Sequence, residues 1–234
     1  MRGEDFEHRV YYSAGRQPST TLHVYIEGDG RPWFRREQIN PRPETPLPLM
    51  LRAMARDPSP ALYLTRPCYN ARVDLRNCGP WYWTDGRYAP RVVDSMAAAL
   101  RRWVEAHRME EISLYGHSGG GALAMLLAAR LPAVARVVTI AANLDTAAWT
   151  RYHDYSPLRG SLNPVMRRLP TSVSQFHYLG ADDRIVPTGI FPFANRPPGI
   201  KVKVVAGQTH TCCWVRQWPD ILDETDPAMT RKAR

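Results

Sequence analysis

The sequence is poor in lysine and in clustered positive charge. Of its 31 basic residues only Lys201, Lys203 and Lys232 are lysines, and the arginines are scattered in nothing longer than doublets. A surface that follows a phosphate backbone needs clustered charge. The net charge of +9 therefore does not predict a nucleic-acid partner.

Long apolar runs are also missing. The central run Ala122–Ala129 is far shorter than the roughly 20 residues that a membrane-spanning helix needs. No charged and then apolar leader opens the sequence, so we expect neither a membrane span nor a signal peptide in it. G-x-G-x-x-G is absent, and no lysine precedes Lys201, which excludes a Walker-type phosphate loop.

Cysteine is scarce and is not arranged as a zinc site. Cys68 and Cys78 lie ten positions apart, and Cys212 and Cys213 are adjacent, so neither pair has C-x-x-C spacing. The first pair brackets a loop that a disulfide can close, which favours a periplasmic or secreted protein. Free buried thiols at these positions would instead favour the cytoplasm.

Short β-branched or apolar segments alternate with helical segments along the chain. Helical spacing of apolar residues predicts helices at Pro90–His107 and Gly119–Leu131. The predicted strands are Phe6–Tyr12, Thr21–Ile26, Ala61–Thr65, Ile112–Tyr115, Val134–Ala141, Ser174–Leu179 and Ile200–Val205. This alternation predicts an α/β fold with a mainly parallel central sheet covered by helices on both faces, a three-layer sandwich.

No repeat or linker divides the chain, so we predict one domain over residues 1–234. Residues 145–171 lack strand character and are expected to form a small insertion that covers the pocket. The tail from Pro219 onward is expected to be frayed. The pattern does not indicate an oligomeric state.

The segment Leu114–Ala129, LYGHSGGGALAMLLAA, contains G-x-S-x-G between a predicted strand and a predicted helix. This context distinguishes a nucleophile elbow from a chance match, because the elbow holds its serine on a strained strand-to-helix turn. Ser118 is the candidate nucleophile. A serine hydroxyl needs a base, and in this topology the acid and then the histidine follow the serine.

Elimination leaves few partners for Ser118. His177 lies inside a predicted strand, where a packed role is favoured, whereas His210 lies in a loop after the last strand and is the candidate base. Between Ser118 and His210 there is no glutamate. The aspartates of that interval are Asp145, Asp154, Asp182 and Asp183. The adjacent pair Asp182 and Asp183 ends a strand and is preferred, with Asp145 next.

A tetrahedral intermediate needs two N–H donors for its oxyanion. One candidate is the backbone of Gly119, directly after the serine and at a helix start. The other is expected from the loop Glu27–Gly30, EGDG, which follows the strand Thr21–Ile26.

The segments YIEGDG, LYGHSGGGAL, GADDRIVP and AGQTH, in this order, resemble those of the α/β-hydrolase superfamily, of the serine esterase and lipase-like kind without a large cap domain. The resemblance places the acid at Asp183, since GADDRIVP is similar to the family's G-x-x-D-x-x-V-P loop. It also places the second oxyanion donor at the backbone N–H of Asp29. Glu27 stands where the family usually has histidine.

The resemblance implies hydrolysis of a carboxylic ester or thioester by a Ser118–His210–Asp183 triad, without metal or organic cofactor. A small ester-like molecule is then the expected partner. Two alternatives stay open, an acyltransferase with the same triad and a non-catalytic binding protein with this fold. The residues expected to contact substrate are Gly28, His117, Trp149, His153 and Tyr155.

Overall fold

A computed structural model describes residues 1–16, 18–35, 37–69, 77–192 and 199–226. Its strands are β1 (Val10–Ser13), β2 (Thr21–Ile26), β3 (Trp33–Phe34), β4 (Gln38–Ile39), β5 (Ala61–Leu64), β6 (Glu111–His117), β7 (Val134–Ile140), β8 (Ser174–Gly180) and β9 (Ile200–Val205). Its α-helices are α1 (Leu49–Met54), α2 (Pro90–His107), α3 (Gly119–Ala128), α4 (Thr146–Tyr152) and α5 (Trp218–Thr225). Short 3₁₀ turns span Pro80–Trp83, Pro164–Met166 and Thr188–Ile190.

One sheet of the described residues orders its strands β1-β5-β2-β6-β7-β8-β9. From β5 to β9 every neighbouring pair is parallel, and only β1 pairs antiparallel, on β5. The prediction of a mainly parallel sheet is therefore confirmed. All the parallel strands have their carboxyl ends at one edge, where the loops after β2, β6, β8 and β9 meet.

Successive residues of β2 bury their side chains on opposite faces of the sheet, as strand geometry requires. Leu22, Val24 and Ile26 pack with α2 and α3 in one apolar cluster. Tyr25 packs with α1 and α5 in the other. The three layers follow from these two cores, and the predicted sandwich is confirmed.

The prediction of a frayed tail from Pro219 is wrong for its first part. Helix α5 begins at Trp218, whose side chain is fully buried, and Ile221 and Leu222 bury beside it. Pro219 lies in the first turn, where its missing N–H costs no helical hydrogen bond. Residues 227–234 lie outside the described residues.

Both cysteine pairs are disulfide-bonded. Cys68 joins Cys78 with a Cα–Cα distance of 5.3 Å, as the spacing predicted. Cys212 joins its neighbour Cys213. Residues 70–76 of the loop that the first bridge closes lie outside the described residues.

The predicted insertion at residues 145–171 contains α4 and the 3₁₀ turn Pro164–Met166. Asp145 begins α4 as its N-cap, accepting the backbone N–H groups of Ala147 and Ala148. Among the described residues, no helix combines the length and apolarity that crossing a bilayer requires.

Candidate active site

The turn between β6 and α3 holds Ser118 in a strained conformation. Its φ of 52° and ψ of −123° lie where residues other than glycine are rarely found. A Cβ on Gly116 would lie 2.4 Å from the Gly120 carbonyl oxygen, and one on Gly120 would lie 2.1 Å from that of Ile26. Glycine is thus required on both sides of the serine because strand, helix and β2 approach so closely.

Ser118, His210 and Asp183 meet at the carboxyl edge of the sheet. The Ser118 Oγ lies 3.0 Å from His210 Nε2, and His210 Nδ1 lies 2.9 Å from Asp183 Oδ2. The serine comes from the β6–α3 turn, the aspartate from the loop after β8 and the histidine from the loop after β9. Ser118 is half-buried and the His210 side chain is 16% exposed, so the hydroxyl and the imidazole face an accessible site.

Of the four aspartates weighed from the sequence, only Asp183 contacts His210. Its carboxylate is fully buried and also accepts the backbone N–H groups of Ile185 and Val186. Asp182 and Asp154 are exposed, and Asp145 caps α4. The two adjacent carboxylates after β8 therefore have different surroundings.

His177, the other late histidine, is buried in β8 against the Thr139 hydroxyl at 2.7 Å. Burial lowers the pKa of His177 to about 3, because the imidazolium would lose its hydration there. This is the packed role that its place inside a strand favoured.

The environment sets the protonation of the Asp183–His210 pair. Burial acts to raise the pKa of Asp183, but hydrogen bonds from His210, Val186 and Ile185 outweigh it, so the pKa lies below the usual 3.8. Burial lowers the pKa of His210 below 6.5, although the hydrogen bond with Asp183 opposes that shift. At neutral pH the carboxylate is charged and the imidazole is neutral, the state in which Nε2 can accept a proton.

This protonation state predicts how the rate of a reaction that uses His210 as a base falls at low pH. We expect kcat/KM to fall to half of its plateau value only at a pH below 6.5, because the base is lost when the imidazole is protonated. The half-maximal pH is measured from the pH profile of kcat/KM. Thermal unfolding is followed at each pH to exclude acid denaturation. A half-maximal point above pH 6.5 would contradict the expectation.

His117 was expected to contact substrate. In the structure it is buried against the loop that carries His210. Its side chain is 6% exposed, and its Nε2 donates to the His210 carbonyl oxygen at 2.7 Å. The two rings lie 4.9 Å apart. His117 therefore contacts the backbone of the loop that carries His210, and its contact with substrate stays a prediction.

The predicted oxyanion donors flank the serine. Gly28 packs against Ser118, since a Cβ on Gly28 would lie 3.1 Å from the Ser118 Cβ. Within the described part of the chain, neither the Gly119 nor the Asp29 backbone N–H donates to another protein group.

The aromatic side chains of the insertion pack together and against the loop that carries the acid. Trp149 Nε1 and His153 Nε2 both donate to the Ile185 carbonyl oxygen at 2.8 Å, and the rings of His153 and Tyr155 stack at 5.2 Å. Through Trp149 and His153 the insertion contacts Ile185, two residues after Asp183.

A cavity of about 90 Å³ borders Gly28, on the β5 side of β2. Its walls include Glu27, Gly28, Leu51, Tyr63, Arg66 and Tyr69. Among the described residues, no group of three or more His, Cys, Asp and Glu side chains is placed to hold a metal ion.

The sequence reasoning missed the side chains that surround Asp29. Its carboxylate contacts Arg66, Arg87 and the Tyr88 hydroxyl, and its carbonyl oxygen accepts the Tyr69 hydroxyl. These residues lie in two loops, one after β5 and one before α2, and the scattered arginines gave no local signal that they would contact Asp29.

Comparison with known proteins agrees with this architecture. The family described as lipase (class 3) matches residues 70–147, a segment that includes α2, Ser118 and β7. No curated protein shows a significant sequence match.

Solved structures match nearly the whole chain at low identity. Est1E from Butyrivibrio proteoclasticus, with ferulic acid bound, has a TM-score of 0.62 at 12% identity, covering 100% of both chains. An α/β serine hydrolase homologue from Coxiella burnetii has a TM-score of 0.58 at 15% identity, covering 96% of this chain and 92% of the other. A Xanthomonas campestris α/β serine hydrolase without a lid has a TM-score of 0.58 at 13% identity, covering 96% and 88%.

The chain has the α/β-hydrolase fold. The fold that the resemblance implied is thereby confirmed, and Ser118 lies at the carboxyl end of β6, a central strand of the sheet. The lipase match and these neighbours together support a serine hydrolase.

Proposed function

We propose that the protein hydrolyses carboxylic esters, with Ser118 as nucleophile, His210 as general base and acid, and Asp183 as the group that orients the imidazole. The observation that carries this proposal is the pair of hydrogen bonds from Ser118 through His210 to Asp183, at 3.0 and 2.9 Å. The strained backbone of Ser118 supports the same role.

In the first half-reaction the Ser118 Oγ attacks the ester carbonyl carbon, and its proton passes to His210 Nε2. The imidazolium then gives that proton to the alcohol that leaves, and an acyl-enzyme forms. The buried Asp183 carboxylate stabilises the imidazolium and holds Nδ1–H in place, so that Nε2 is the nitrogen free to accept. In the second half-reaction water takes the place of the serine hydroxyl, and the acid is released.

The negative charge that develops on the carbonyl oxygen is stabilised by the backbone N–H groups of Gly119 and Asp29. Two such donors act most strongly when they are held in place before the reaction begins. We also propose that the insertion at residues 145–171 covers one side of the site, since Trp149 and His153 both bind the backbone of Ile185.

We propose that the cavity beside Gly28 takes a short acyl group, because Gly28 lines the cavity and packs against Ser118. Its volume of about 90 Å³ is small beside the roughly 300–1,000 Å³ of a typical ligand pocket. A chain of about two to four carbons fills such a space, whereas a long fatty acyl chain does not.

A series of p-nitrophenyl esters tests both the activity and this preference. We expect kcat/KM to be highest for the acetate and butyrate and at least about tenfold lower for the octanoate, since forcing extra methylenes against packed walls costs about 1–3 kcal/mol. Ser118→Ala protein is the blank. No release of p-nitrophenol above that blank from any ester would contradict the proposed function.

Leu51 tests the cavity itself, because its side chain lines the wall. Leu51→Ala is expected to raise the octanoate rate relative to the acetate rate. Leu47 lies in the same segment but is 73% exposed, so Leu47→Ala is the matched control and should leave the profile unchanged. Product analysis with and without an added alcohol separates hydrolysis from acyl transfer.

A further inference from the structure

The Asp29 side chain lies at the centre of a charged cluster behind the proposed oxyanion site. Its carboxylate, 13% exposed, pairs with Arg66, with Arg87 Nη1 at 3.0 Å and with the Tyr88 hydroxyl at 2.6 Å. The charges of the two guanidinium groups outweigh the effect of burial and hold the pKa of Asp29 well below its usual value. The carboxylate is therefore charged at neutral pH.

The arginines of this cluster are themselves held rigidly. The Arg66 guanidinium lies 5.0 Å from the ring centroid of Tyr69 and 5.4 Å from that of Tyr88, and its Nη2 donates to the Arg87 carbonyl oxygen at 2.9 Å. Arg87 Nε donates to the Thr84 carbonyl oxygen at 2.6 Å. With two guanidinium groups around one carboxylate, the cluster carries one net positive charge.

The cluster contacts both residues whose backbones carry the proposed N–H donors. Asp29 supplies one of them from its own backbone, and the Tyr69 hydroxyl binds its carbonyl oxygen at 2.9 Å. The other belongs to Gly119, where a Cβ would lie 2.0 Å from Asp29 Oδ1 and 2.5 Å from the Tyr88 hydroxyl. The carboxylate thus packs directly on the Cα of Gly119.

Stability alone does not explain such a cluster. Burying two guanidinium groups with one carboxylate costs desolvation free energy. Well-packed apolar residues at such positions often give a fold that is equally stable. Backbone N–H donors held in place before a reaction and aimed at a developing oxyanion, by contrast, are among the largest contributions to catalysis.

We propose that the Asp29 carboxylate is a positioning residue, held by Arg66, Arg87 and Tyr88, that fixes the backbone N–H groups of Asp29 and Gly119 as the oxyanion hole. This inference rests on the proposed ester hydrolysis, and it concerns the transition state rather than the binding of substrate.

Asp29→Asn tests it, because asparagine keeps the shape and removes the charge. We expect kcat to fall by about 10²- to 10³-fold on p-nitrophenyl butyrate while KM changes by less than about threefold. The affinity for an aliphatic trifluoromethyl ketone, which acquires an oxyanion when Ser118 adds to it, should fall in parallel with kcat. Tyr88→Phe removes one hydrogen bond and should show the same pattern at about three- to tenfold.

Asp57→Asn is the matched control. Asp57 is also buried and binds His23 and Tyr25, but it precedes β5 at the opposite edge of the sheet from Ser118. Rates are divided by the folded fraction from circular dichroism, so Asp57→Asn should lower stability without lowering kcat.

The outcomes separate the two proposals. Equal kcat per folded molecule in Asp29→Asn and wild type, or a fall in kcat without loss of ketone affinity, would overturn the positioning role. If Asp29→Asn does not fold, an unchanged kcat and ketone affinity in Tyr88→Phe would overturn it. Wild-type protein that hydrolyses no ester would instead remove the proposed function.

Discussion

Replacing Asp183 with asparagine is expected to lower kcat by about 10⁴-fold while the protein stays folded. The amide cannot stabilise the imidazolium, and its NH₂ group favours the His210 tautomer whose proton is on Nε2. That tautomer cannot accept the serine proton. The carboxylate now lies 2.9 Å from Nδ1 and is fully buried, so no water or second carboxylate takes its place.

Asp182→Asn is the control for this variant. The two carboxylates are adjacent in the chain, but Asp182 is exposed and makes no contact with His210. We expect its kcat to stay within about twofold of wild type. Steady-state rates on p-nitrophenyl butyrate, with circular dichroism for each variant, measure the difference. Equal losses at both positions, or a larger loss in Asp145→Asn, would show that the acid is wrongly assigned.

Replacing Ser118 with alanine is expected to lower kcat by about 10⁶-fold, to the rate left by binding and the oxyanion donors alone. The hydroxyl is the only atom of the proposed triad that bonds to substrate, so no smaller change removes as much. Alanine meets the same backbone strain at a φ of 52°, so the stability should change little.

Ser174→Ala is a suitable comparison for Ser118→Ala. Ser174 is exposed at the start of β8, the amino end of that strand and the edge opposite to the site. Its replacement should leave kcat at the wild-type value. A Ser118→Ala protein that still turns over ester at more than about one-hundredth of the wild-type rate would point to a different nucleophile.

Much of the fold is predictable because local sequence patterns determine where many of its helices and strands begin and end. Helix α2 has the predicted bounds, Pro90–His107, since proline opens it and apolar residues recur at helical spacing throughout. Helix α5 was missed because a charged, proline-containing tail gives little local signal. Its burial depends on Trp218 meeting Tyr25, which lies 193 positions earlier in the chain.

The candidate site was likewise predictable only in part. Ser118 and His210 were selected by motif and by the small number of candidates in the right order. The family resemblance selected Asp183 over Asp182, and the structure brings the three residues into contact. The cluster around Asp29 joins side chains 37 and 58 positions apart, Arg66 and Arg87, and no sequence pattern records that meeting. The contact of His117 with the backbone of His210 was not predicted either, because strand alternation does not reveal which loop covers a side chain.

Labelling with a fluorophosphonate is the most direct test of the account. The probe reacts with a serine only where a base has activated its hydroxyl, and it requires no knowledge of the substrate. Mass spectrometry of the digested adduct should place one phosphonate on Ser118 in folded wild-type protein and none in Ser118→Ala. Folded wild-type protein that stays unlabelled, or an adduct on another serine, would contradict the hydrolytic role of this site.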